Sequence, residues 1–103
     1  MVTLCIRYTL DIQNLEAFAT YAKGLREPVA RCGGAYVAYY MPTKIAGPVN
    51  EALGFIAFPD LATYERYRER LAADAEGAKL LEDAMAAGCI LNEHRSFMQA
   101  VHP

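Results

Sequence analysis

Along the first ten residues Val2, Leu4, Ile6, Tyr8 and Leu10 alternate with Thr3, Cys5, Arg7 and Thr9. This is the two-residue period of a strand with one face committed to a core. The run ends at Asp11. From Asn14, a residue suited to cap a helix, Leu15, Phe18, Ala22, Leu25 and Val29 recur at spacings of three and four and lay one apolar stripe along a helix. Pro28 supplies no N–H and its ring crowds the carbonyl of Gly24, so a kink or break is expected there. Gly33 and Gly34 close the segment. Residues 35–41 then read as a tyrosine-rich second strand, residues 42–50, with Pro42, Gly47 and Pro48, as a long hairpin loop, and residues 51–58 as a third strand. Pro59 ends that strand, Asp60 caps a second helix carrying Leu61, Tyr64, Arg68 and Leu71, and Asp74 caps a further helical piece. Residues 89–100 form the fourth strand. It contains ILNEHRSFM, which begins and ends as an apolar strand but holds five consecutive polar residues.

The two halves repeat. Asn14-Leu15-Glu16-Ala17-Phe18-Ala19-Thr20-Tyr21 aligns with Asp60-Leu61-Ala62-Thr63-Tyr64-Glu65-Arg66-Tyr67, matching cap, leucine, aromatic and tyrosine, and Leu25 falls on Leu71 by the same shift. Each half is a βαβ unit. Two such units with right-handed crossovers predict the α+β, ferredoxin-like order βαββαβ, a four-stranded antiparallel sheet with helices on one face. Helices on one side leave the other side of the sheet uncovered. The strands are apolar on both faces: Tyr36, Ala38 and Tyr40 stand opposite Val37, Tyr39 and Met41, and Leu53, Phe55 and Ala57 opposite Gly54, Ile56 and Phe58. A homodimer joined through the uncovered face is therefore expected.

Composition narrows the partners. The 103 residues have room for one domain and an apolar fraction of 54% to fill its core. A net charge of −2 offers no field to draw in nucleic acid or anionic lipid. No apolar run approaches the roughly 18 to 20 residues of a membrane span, and Arg7 interrupts the N-terminal run, so a cytoplasmic protein is expected. Cys5, Cys32 and Cys89 are odd in number and lack a C-x-x-C pair, the pattern of free thiols and not of a disulfide framework or zinc site.

The strand Ile6-Arg7-Tyr8-Thr9-Leu10, the helix end Leu25-Arg26-Glu27-Pro28-Val29-Ala30-Arg31-Cys32-Gly33-Gly34 and Leu71-Ala72-Ala73-Asp74 resemble those of the NIPSNAP proteins, members of the dimeric α/β barrel superfamily. The resemblance spans nearly the whole chain. It implies a homodimer whose sheets face each other and a molecular activity not settled for the family at large. Asp11-Ile12-Gln13 stands where the family often has a Pro-Gly turn, Cys32 where histidine is common, and Ala75 in place of a frequent proline. Any chemistry carried by that histidine is put in doubt here. The superfamily also includes cofactor-independent monooxygenases, isomerases and haem-handling enzymes, and no cofactor is expected for this chain.

Within this frame His94 is the candidate general base, with Arg7 holding an anionic group, Asn92 nearby, and Tyr8 or Tyr39 donating a hydroxyl proton. Strand geometry divides the polar block: Asn92, His94 and Ser96 share one face, Glu93 and Arg95 the other. A charge pair of Glu93 with Arg7 or Arg95 at the subunit seam, with His94 a satisfied polar residue, is favoured over catalysis. Tyr40 and Phe55, with other sheet aromatics, are candidates for a flat ligand pocket, against the more common role of core or interface. His102, beside the C-terminus, is set aside, and two separated histidines make no metal site. Gly54-Phe55-Ile56-Ala57-Phe58 imitates the base-stacking strand of RNA-recognition motifs, but Leu53 stands where that motif needs a cation, and the chain is acidic. The expected function is binding of a small, partly apolar organic molecule, with cofactor-independent monooxygenase or isomerase chemistry as the alternative.

Overall fold

The computed structural model describes residues 1–101, so His102 lies outside the described residues. The first alternating run becomes strand β1 (Val2–Leu10), with Leu4, Ile6, Tyr8 and Leu10 all buried. A 3-10 turn at Ile12–Asn14 leads to helix α1 (Leu15–Gly24), followed by α2 (Arg26–Arg31), β2 (Ala35–Tyr40), β3 (Glu51–Phe58), α3 (Leu61–Ala73), α4 (Ala75–Ala87) and β4 (Ile90–Met98). The strands form one antiparallel sheet in the order β2-β3-β1-β4. This is the expected ferredoxin-like arrangement, with two helices in each crossover. Leu4, Ile6, Tyr8, Ile56 and Phe58 of the sheet meet Phe18, Ala22, Leu25, Val29, Tyr64 and Tyr67 of the helices in a single core.

The break in the first crossover falls just before Pro28. Helix α1 ends at Gly24 and α2 begins at Arg26, because Pro28 cannot donate to the Gly24 carbonyl four residues back. The two halves differ in their caps. The Asp60 side chain accepts from the Thr63 N–H and starts α3, whereas Asn14 makes no capping bond. Asn14 Nδ2 instead donates to Asp11 Oδ2 and to the Ala87 carbonyl, tying the start of α1 to the end of α4, while Asp11 caps the 3-10 turn. Asp74 accepts from the Gly77 N–H and begins α4, which ends at Gly88 in the left-handed conformation (φ 66°) that a residue without Cβ adopts freely.

Strand β2 departs from simple alternation. Tyr36 pairs with Ile56, Ala38 with Phe55 and Tyr39 with Gly54, so Val37 is an extra residue and the strand bulges there. The bulge brings Tyr36 and Tyr39 onto one face, their rings stacked at 5.2 Å, instead of the opposite faces that strict alternation assigns. Tyr39 lies across Gly54, where a Cβ would come within 2.5 Å of its ring. Glycine at that position lets the tyrosine lie flat on the sheet.

Candidate functional site: a tyrosine-lined cleft with an ion pair

The pairing of β1 with β4 decides which side chains meet. Tyr8 stands opposite Glu93 and Ile6 opposite Arg95, so the two charged residues share the helix side of the sheet with the buried face of β1. Arg7 stands opposite His94, Thr9 opposite Asn92 and Cys5 opposite Ser96 on the uncovered side. Sheet and helices do not close completely. Between them lies a cleft of about 620 Å³, floored by Leu4, Ile6 and Ile56 and walled by Leu25 and Leu71. Gly77 and Ala78 of α4 leave room on the helix side, and the exposed Arg68, Leu81, Glu82 and Met85 flank the mouth.

Four phenols line this space: Tyr8, Tyr21, Tyr39 and Tyr67. Tyr8 and Tyr39 exchange one hydrogen bond at 3.1 Å between their hydroxyls. Burial raises the pKa of Tyr8, reinforced by Tyr39 and Tyr21, and burial likewise raises those of Tyr39 and Tyr67. Burial, with the Glu93 carboxylate nearby, pushes Tyr21 up to about 12. All four therefore stay protonated near neutral pH and serve as hydrogen-bond donors, not as bases. Arg95 Nε donates to Glu93 Oε1 at 2.6 Å, and Arg95 Nη1 reaches the Tyr64 hydroxyl at 3.5 Å. Burial opposes the Arg95 charge, but the bond to Glu93 outweighs it and holds the guanidinium pKa above its usual value. The Glu93 side chain is 30% exposed and that of Arg95 50%, and both residues line the cleft.

The residues singled out from the sequence divide between the two sides. Tyr8 and Tyr39 line the cleft. Arg7, His94, Asn92, Tyr40 and Phe55 lie on the uncovered face, with Asn92 Nδ2 and His94 Nε2 3.1 Å apart, Tyr40 and Phe55 packed edge to face at 6.0 Å, and Arg7 Nε 3.8 Å from Glu51. The imagined set of His94, Arg7 and a buried tyrosine thus does not converge within one chain, since adjacent strand residues point to opposite faces. Glu93 pairs with Arg95 and not with Arg7, for the same reason. Sequence reasoning passed over Tyr21 and Tyr67 as cleft residues, although they occupy matching positions in the repeated helix motif. Among the described residues no group of three or more His, Cys, Asp or Glu side chains is placed to hold a metal ion, and the three cysteines are free.

The NIPSNAP family model matches residues 3–102. The chain belongs to the NIPSNAP family. This NIPSNAP chain is similar in fold to a NIPSNAP family protein of unknown function from Agrobacterium tumefaciens, with a TM-score of 0.80 and 24% identity over 95% of this chain and 86% of that one. An uncharacterised NIPSNAP domain protein from Burkholderia xenovorans matches with a TM-score of 0.79 and 16% identity, covering 98% and 95% of the two chains. The fold is also shared with an antibiotic biosynthesis monooxygenase, at a TM-score of 0.66 and 16% identity over 99% and 100%. No curated protein sequence matches the chain.

Proposed function

We propose that this NIPSNAP chain forms a homodimer through the uncovered face of its sheet and binds a small, partly apolar organic molecule in the helix-side cleft. The cleft carries the reading. Its volume lies within the range of ligand sites, roughly 300–1,000 Å³, and its walls combine apolar side chains with a few convergent polar groups, as such sites do. The uncovered face supports the dimer: Val37, Tyr40 and Leu53 stand exposed beside Phe55 on a sheet side that no helix of the same chain covers. Titration with the neutral, environment-sensitive dye Nile red tests the site. Dye emission is expected to rise on binding, and Ala78→Trp, which fills the cleft from α4, is expected to abolish that rise while the circular dichroism spectrum is unchanged. Equal dye binding by the variant would place the ligand elsewhere.

A second reading is a cofactor-independent monooxygenase or isomerase acting on the bound molecule. One observation favours it: a carboxylate and a guanidinium project into an apolar cleft among four protonated phenols. The antibiotic biosynthesis monooxygenase of the same fold adds an analogy of architecture.

A further inference from the structure

The charges around the cleft say what it accepts. Arg68 and Arg95 are balanced by Glu82 and Glu93, and the cation on the sheet, Arg95, is already bound to Glu93. An anionic ligand would have to break that pair and then sit beside the released carboxylate, so the lining favours a neutral molecule. The polar groups are nonetheless of two kinds. Arg95 only donates, and the phenols offer donors to a ligand oxygen as well, because one of the Tyr8 and Tyr39 hydroxyls donates to the other and leaves the other's proton free. Glu93 is the group on the sheet that accepts. A neutral molecule that meets both needs carries an oxygen acceptor and, one bond further on, a hydrogen it can surrender.

Resting on the binding reading above, we infer that the cleft takes a neutral carbonyl compound with an acidic C–H beside the carbonyl, and that Glu93 is the catalytic residue that moves this proton. The Glu93 carboxylate forms an O–H bond with the departing proton. The C–H electron pair becomes a C=C bond, and the carbonyl π pair moves onto oxygen. That enolate oxygen accepts hydrogen bonds from Arg95 and a cleft phenol, which stabilise charge where it develops. The O–H proton on Glu93 exchanges with solvent, so that a solvent proton is what returns to the same carbon, and return to a conjugated carbon instead shifts the double bond. Atoms and electrons balance without any further reagent. The reaction class is keto–enol and allylic isomerisation. Tyr8, Tyr21, Tyr39 and Tyr67 cannot replace Glu93, since burial keeps their protons in place.

The test uses 2-tetralone, a neutral bicyclic ketone, in deuterated buffer with the full chain. Proton NMR follows loss of the signal beside the carbonyl, and saturation transfer reports binding in the same tube. Wild type is expected to bind the ketone and exchange its protons well above the buffer rate. Glu93→Gln is expected to retain binding within a few-fold and lose about 100-fold or more of the acceleration, the low end of what a positioned base contributes. Glu65→Gln, a charge-matched change on the solvent side of α3, controls for net charge and is expected to behave as wild type. Binding without exchange, or equal exchange by wild type and Glu93→Gln, overturns the role of Glu93 and leaves the binding reading standing. Failure of 2-tetralone to bind while Nile red binds overturns the substrate class alone. If neither binds, the binding reading falls as well.

Discussion

Tyr8 and Tyr39 come from strands that are not neighbours in the sheet, yet their hydroxyls meet at 3.1 Å beneath the helices. Each phenol brings a large apolar ring to the core and a polar tip that needs a partner once buried. Tyr8 is 1% exposed, so removing its partner leaves a hydroxyl with little access to water. Tyr39→Phe is therefore expected to cost roughly 1–3 kcal/mol in urea denaturation, the cost of an orphaned buried polar group. The double variant Tyr8→Phe with Tyr39→Phe is expected to recover most of that loss, because neither oxygen then remains. Strictly additive losses would show that the two hydroxyls do not depend on each other. Residue identity alone did not reveal this pair, since which two of seven tyrosines meet depends on the bulge at Val37.

At the scale of elements, Asp74 carries the junction between α3 and α4. Its carboxylate caps the Gly77 N–H and receives two hydrogen bonds from Arg31 at 2.9 Å, joining the second crossover to the end of the first. The Arg31 bonds, with the Gly77 cap, lower its pKa from the usual 3.8 to about 2. A carboxyl depressed on folding stabilises the protein fully above its unfolded pKa and loses that contribution as pH falls through the folded value. The melting temperature of the wild type is thus expected to exceed that of Asp74→Asn by a few degrees near pH 6, and the gap to close as pH drops from about 4 towards 2. A gap independent of pH would remove the charge of Asp74 from the account. The capping residues Asp60 and Asp74 and the break before Pro28 were all legible in the chain, because each acts on a backbone within four residues of itself. Asn14 was not, since its partners include the Ala87 carbonyl, which sequence spacing does not bring near.

For the whole molecule, the consequence of the fold is a sheet with two unlike faces. The helix side holds the core and the cleft. The other side sets Arg7, His94 and Asn92 beside the aromatic pair Tyr40 and Phe55. A dimer built on that side is expected to dissociate when charge is placed in its centre. Phe55→Glu should therefore sediment as the 11.4 kDa chain where the wild type sediments at about twice that mass, while Nile red binding in the cleft persists. A wild type already sedimenting as a single chain would sink the proposed dimer. His94 belongs to this face, and the polar block of β4 serves both sides of the sheet by turns.

By itself, the sequence determined the order of elements, the antiparallel ferredoxin-like sheet, the repeated helix motif and the separation of Glu93 from His94. Those follow from periodicity, capping and strand geometry, which act over a few residues. Only the tertiary structure decided that Val37 bulges, that Glu93 pairs with Arg95 under the helices, and that four tyrosines from β1, β2, α1 and α3 surround one cleft. Strand register and helix packing set those meetings, and both arise from contacts among residues far apart in the chain.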